Sequence, residues 1–120
     1  MPRQSHRLRV RSKVWLEAEG GFALGDGGIE FLRAVDAAGS LRGAAARVGW
    51  SYRHALRYLV TAEAALGTEL VARARGGNDR GGAWLTPAGR TFLRRYVAFR
   101  RRLDDALHRL YASAFSPRAR

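Results

Sequence analysis

The chain contains no cysteine, so disulfides, thiolate metal sites and cysteine redox switching are excluded, and nothing argues for an oxidising compartment. It has no apolar stretch of membrane-spanning length. Its basic start, MPRQSHRLRVRSK, is not followed by the apolar run of a secretory signal, so the expected location is the cytoplasm, with no membrane partner. Carboxylates are scarce. Against 22 basic residues stand 10 acidic ones, a formal net charge of +12 over 120 residues, which points to a polyanionic partner. The acids present are poorly placed for catalysis: Asp104 and Asp105 are adjacent, which on a helix turns them about 100° apart. His6, His54 and His108 are scattered, with no second ligand at metal spacing. The sequence therefore argues against an enzyme and implies no cofactor and no metal.

What remains is a chain long enough for one modest core, with 47% hydrophobic residues, and one strongly patterned stretch. From Gly39 to Leu59 it reads GSLRGAAARVGWSYRHALRYL. Ser40 and Ser51 sit where a hydroxyl can cap a new helix, while Gly39 and Gly49 sit where helices end. Leu41, Ala44, Ala45 and Val48 give the first helix a small-residue inner face. In the second, Ala55, Leu56, Leu59, Val60 and Ala62 point inward, leaving Tyr52, Arg53, His54, Arg57 and Tyr58 outward. No acidic residue falls between Asp36 and Glu63, while Arg42, Arg47, Arg53 and Arg57 do. Forked donors and hydroxylated aromatics at a helix N-terminus suit the major groove of double-stranded DNA. Arg53 and Arg57 are the expected base readers, with Ser40, Arg42, Tyr52 and His54 on phosphates. Ser51 and Tyr58 complete the expected contact set.

The flanks fit the same scheme. Residues 7–17 alternate, with Leu8, Val10, Val14 and Leu16 on one face and Arg7, Arg9, Arg11 and Lys13 on the other, the period of a strand. A turn at Glu19, Gly20 and Gly21 returns through Phe22, Ala23 and Leu24, giving a hairpin over 7–24, followed by a loop from Gly25 to Gly28. Ile29, Leu32, Val35 and Asp36 recur at helical spacing to Ala38, so 29–66 forms a three-helix core. After Gly67, Glu69 to Arg73 reads as a short strand, then the loop RARGGNDRGGA, then Trp84 and Leu85: a wing over 69–86. No Gly-Lys-Ser or Gly-Lys-Thr follows the glycines, which sets aside a nucleotide-binding loop. Arg73, Arg75, Asn78 and Arg80 are assigned to phosphate or minor-groove contact.

Thr86 caps the last helix, with Pro87 at its first position, and that helix runs over 87–113. Phe92, Tyr96, Phe99, Leu103, Ala106 and Leu110 recur at alternating four and three, a heptad seam that Leu93, Val97, Leu107 and Tyr111 widen. Such width exceeds what one small domain covers, so the helix is expected to pair with a second copy through Phe92, Tyr96, Phe99, Leu103, Leu107 and Leu110. The expected fold is mainly α with small β: a single winged helix-turn-helix domain over 1–120, with an N-terminal β-hairpin and a long C-terminal dimerisation helix.

Together, GSLRGAAARVGWSYRHALRYL and ALGTELVARARGGNDRGGAWLTPAGRTFL resemble the winged helix-turn-helix domain of molybdate-responsive ModE-type regulators, and more distantly that of LysR-type regulators, from about Val14 to Tyr111. The ALG, EL and LTPAG pieces are shared with LysR-type domains; the glycine-doubled wing and the leading strand pair tilt toward the ModE type. Two positions depart from that pattern: Leu56 stands where a tryptophan is usual, and Arg80 where a further glycine is expected. The resemblance implies a DNA-binding homodimer. In ModE-type regulators the oxyanion-binding module follows this domain, and the sequence ends at Arg120, so a stand-alone domain is expected, with no molybdate site carried over and no effector assigned. The function expected is sequence-specific transcriptional regulation on an inverted repeat with half-sites about 34–36 Å apart. The alternatives are a non-specific architectural DNA-binding protein, or a subunit that borrows its sensor from a partner.

Overall fold

The computed structural model describes residues 7–74 and 82–115. The elements run β1 (Trp15–Ala18), β2 (Gly21–Gly25), α1 (Asp26–Ala38), α2 (Leu41–Val48), α3 (Tyr52–Leu66), β3 (Val71–Arg73), β4 (Ala83–Leu85) and α4 (Pro87–Phe115). The strands form two separate antiparallel pairs, β1 with β2 and β3 with β4. This is a winged helix-turn-helix, mostly helical, with a long last helix.

The N-terminal hairpin is shorter than the alternation implied. Residues 7–14 are not strand, because β2 ends at Gly25 and offers them no partner; Leu8 is 67% exposed. Val14 instead closes on the first residue of α1: its amide donates to Asp26 Oδ2 (3.2 Å) and its carbonyl accepts from the Asp26 amide (3.1 Å). The stretch read as a Gly25–Gly28 loop is the last residue of β2 and the first turn of α1, with Asp26 stabilised by the positive end of the helix dipole. Its glycines serve close approach rather than flexibility. A Cβ on Gly28 would collide with the Tyr58 hydroxyl, and one on Gly25 would lie 2.8 Å from Trp15 Cβ.

The core is built mainly from α1, whose Phe31, Leu32 and Val35 are almost fully buried, with Leu24, Leu41, Leu59, Leu70 and Leu85 around them. Burying a side chain of this size contributes about 1.5–3 kcal/mol. Ala44 and Ala45 of α2 and Ala55 and Ala62 of α3 are buried too, and their small volume lets the three helices meet closely. One expected inward position fails. Val60 is 61% exposed, since it lies a quarter-turn beyond Leu59 on α3, whereas Leu56 is half-buried and packs against the core. Asp36, read as part of the apolar pattern of α1, is exposed and pairs with Arg90 at 3.4 Å.

The helix α4 holds 29 residues, about 43 Å of length, and gives the molecule its 63 × 34 × 23 Å shape. Only its first half touches the body, through buried Tyr96 and partly buried Phe92, Leu93 and Val97. It starts tight against the wing: Thr86 Oγ1 donates to the Glu69 carbonyl (2.7 Å) and accepts from the Gly89 amide (2.9 Å). A Cβ on Gly89 would overlap the Leu70 carbonyl oxygen. Among the described residues, no helix is long and apolar enough to cross a membrane.

Candidate nucleic-acid interface

The helix-turn-helix is set by its caps. Ser40 Oγ accepts from the Gly43 amide and Ser51 Oγ from the His54 amide, each at 3.0 Å, so each helix begins on a hydroxyl acceptor that satisfies an orphan donor. The helix preceding each cap closes on glycine, α1 at Gly39 (φ 74°) and α2 at Gly49 (φ 76°), a left-handed conformation that other residues adopt at a cost. The turn between α2 and α3 therefore spans only residues 49–51.

That turn holds an aromatic brace that periodicity does not reveal. Trp50 stacks on Phe31 (centroids 5.3 Å, 20°) and meets the His54 ring edge-on at 4.5 Å and Tyr58 at 4.9 Å. Such pairs contribute about 0.5–1.5 kcal/mol beyond their burial. The brace fixes how the first two turns of α3 sit on α1.

On the outer side of α3, Arg53, His54 and Arg57 are exposed, while Tyr52 is half-buried with the Arg42 guanidinium 4.2 Å above its ring. Tyr58 is a correction. It faces inward, its hydroxyl accepting from the Gly25 amide at 3.0 Å while Phe22 packs edge-on against its ring. Burial pushes its pKa up, outweighing the backbone hydrogen bonds that lower it. It ties α3 to the N-terminal hairpin, and the helical repeat explains why: residue 58 lies one turn from His54 toward Ala55, on the flank that meets β2.

The wing is tied to the helices at two points: Glu63 Oε2 accepts from the Leu70 and Val71 amides (2.7 and 3.1 Å), and the Ala83 amide donates to the Gly39 carbonyl (2.9 Å), while the Ala74 amide donates to the Gly82 carbonyl (3.1 Å) across the wing itself. Strand register pairs Val71 with Leu85 and Arg73 with Ala83. Arg73 is exposed at the base of the wing. Arg75, Asn78 and Arg80 lie outside the described residues.

Of the seam on α4, Phe99 and Leu110 are 46% and 68% exposed, and Leu103 and Leu107 are partly covered without joining the core. Phe92 rests partly on its own core. Tyr96 is the second correction: it is buried, its hydroxyl donating to Asp26 Oδ1 at 2.6 Å with the Val14 carbonyl 3.1 Å away. A heptad register cannot distinguish a side chain facing its own domain from one facing a copy.

The sequence between residues 28 and 90 matches the model of the bacterial regulatory helix-turn-helix proteins of the lysR family. The chain belongs to the LysR family. A curated relative, the molybdenum transport protein ModE of Azotobacter vinelandii, is 34% identical over 102 residues; the match covers 85% of this chain and 38% of that protein. Among solved structures, the CbnR_DBD–DNA complex superposes with a TM-score of 0.59 at 29% identity, covering 72% of this chain and 93% of that one. CbnR itself, a LysR family transcriptional regulator, superposes at 0.56 with the same identity, this chain spanning 28% of its length. The matching family and CbnR are regulators rather than enzymes.

Within this LysR-family domain, the ALG, EL and LTPAG pieces acquire physical reasons. Gly67 closes α3 at φ 71°, Leu70 is buried, and Gly89 of the LTPAG run is the one residue whose side chain leaves room for the Leu70 carbonyl. Among the described residues, no group of three His, Cys, Asp or Glu is placed to hold a metal ion. The carboxylate that matters most is Asp26, whose place between Gly25 and Gly27 gives no local sign of its partners. Arg100 Nε and Nη2 donate to its two oxygens at 3.1 Å each. Burial works to raise the Asp26 pKa, but the Arg100 and Tyr96 hydrogen bonds and the Val14 amide outweigh it and hold the carboxyl below its ordinary value.

Proposed function

We propose that this DNA-binding regulator domain acts as a homodimer on an inverted-repeat operator. The observation that carries the reading is the exposed N-terminal half of α3, where Arg53, His54 and Arg57 face outward from a stretch without a carboxylate between Asp36 and Glu63. Arg53 and Arg57 read base edges in the major groove. Ser40, Arg42, Ser51, Tyr52 and His54 position the helix on phosphates. The hydroxyls of Ser40 and Ser51 keep their hydrogens to donate while their oxygens cap. Arg73 extends the basic surface toward the wing, where Arg75, Asn78 and Arg80 add contacts. Exposed Phe99 and Leu110, with Leu103 and Leu107, which are partly covered without packing on the core, supply the dimer seam.

Two copies paired through α4 place their recognition helices about 34–36 Å apart, or a multiple of that. Selecting bound duplexes from a random pool tests this directly. The expected product is a palindrome with constant spacing, bound at least about 10³-fold more tightly than random DNA. Recovery of no consensus, with affinity set by salt alone, would mean a non-specific DNA-binding protein. A monomer in sedimentation would remove the dimer.

A further inference from the structure

The point at which α4 leaves the body is occupied by a charged clamp. Tyr96 is the last buried side chain of α4, and Arg100 stands one turn further on, its side chain 19% exposed. Past it the helix has no residue in the core or packed on it. Arg100 uses every face of its guanidinium: Nε and Nη2 take Asp26, Nη2 also reaches the Ser12 carbonyl (3.1 Å), and Nη1 takes Asp104 (2.6 Å). With the Tyr96 hydroxyl on Asp26 and the Val14 amide on the same carboxylate, the segment before β1, the start of α1 and the middle of α4 are joined in one network.

We propose that Asp26, Tyr96 and Arg100 set the direction of α4 and thereby select the half-site spacing that the dimer accepts. The proposal rests on the dimeric reading above. The other attachments of α4 are confined to its first turn, where Thr86 caps it against the wing and Arg90 pairs with Asp36, and to the apolar contacts of Phe92, Leu93 and Val97, which are non-directional. A planar fork on a carboxylate fixes orientation as well as distance. Residues 101–115 beyond the clamp form a lever about 22 Å long. A swing of about 10° moves its tip about 4 Å, close to the 3.4 Å rise of one base pair. Since each protomer contributes its own swing, a loosened clamp lets one dimer span operators that differ by a base pair.

The test uses the full chain and duplexes carrying the selected half-sites at the selected spacing and at one and two base pairs more or less. The parent discriminates between spacings. Arg100→Lys keeps the charge without the fork, and Tyr96→Phe keeps the ring without the hydroxyl. In each, the affinity ratio between the best and the altered spacings is expected to fall by about fivefold or more, with single half-site affinity and dimerisation by sedimentation retained. A ratio equal to the parent's, with affinity lowered alike on every spacing, would show a merely structural clamp and overturn the proposal. If Arg100→Lys does not fold, the Tyr96→Phe ratio decides alone. A parent that is monomeric or blind to the repeat would end the dimeric reading itself, visibly before any variant is made.

Discussion

Tyr58 and Arg53 stand five residues apart on α3 and do opposite work. The Tyr58 hydroxyl accepts the Gly25 amide where Gly28 leaves room for it, so Tyr58→Phe leaves a part-buried donor without a partner. That variant is expected to lose about 1–3 kcal/mol in urea unfolding, with DNA half-site preference intact once folded. Arg53 is exposed and carries no fold. Arg53→Ala should leave the unfolding midpoint unchanged and weaken operator binding by about 1–3 kcal/mol, relaxing specificity at one base pair. Equal binding of parent and variant to every sequence would remove Arg53 from base reading.

At the scale of elements, the wing depends on α3 through one carboxylate. Glu63→Ala deprives the Leu70 and Val71 amides of their acceptor, and the expected cost is about 1–3 kcal/mol, with faster hydrogen exchange at those two amides and unchanged protection in α2. Exchange that stays slow at both would show the wing to be held by its other ties. The helix-turn-helix was legible because caps are local: Ser40, Ser51, Gly39 and Gly49 each act within three or four residues, and so does the Thr86 and Pro87 start of α4. The elements misread are those decided at a distance. Residues 7–14 alternate like a strand but have no strand beside them, and the glycines from 25 to 28 look like a loop until Trp15 and Tyr58 are seen against them. Glu63 and Asp26 carried no signal, because their partners lie 7 or more residues away. The inward turn of Tyr96 was hidden for the same reason.

At the scale of the whole molecule, stability should respond to acid through the Asp26 clamp. With its folded pKa below the ordinary 3.8, the ionised carboxylate stabilises the fold fully above that value, and the contribution is lost as pH falls through the lowered one. Asp26→Asn should therefore unfold more readily than the parent at neutral pH, the two curves converging toward the acid limit; parallel curves throughout would exclude the linkage. The three tryptophans divide in a way that makes the protein its own reporter. Trp15 and Trp84 are half exposed, at 52% and 48%, whereas Trp50 is wedged behind the recognition helix with the His54 ring against it. With Trp15 and Trp84 replaced by phenylalanine, the remaining indole emission would follow the capture of the His54 side chain by a phosphate, an optical signal of operator engagement that needs no attached dye.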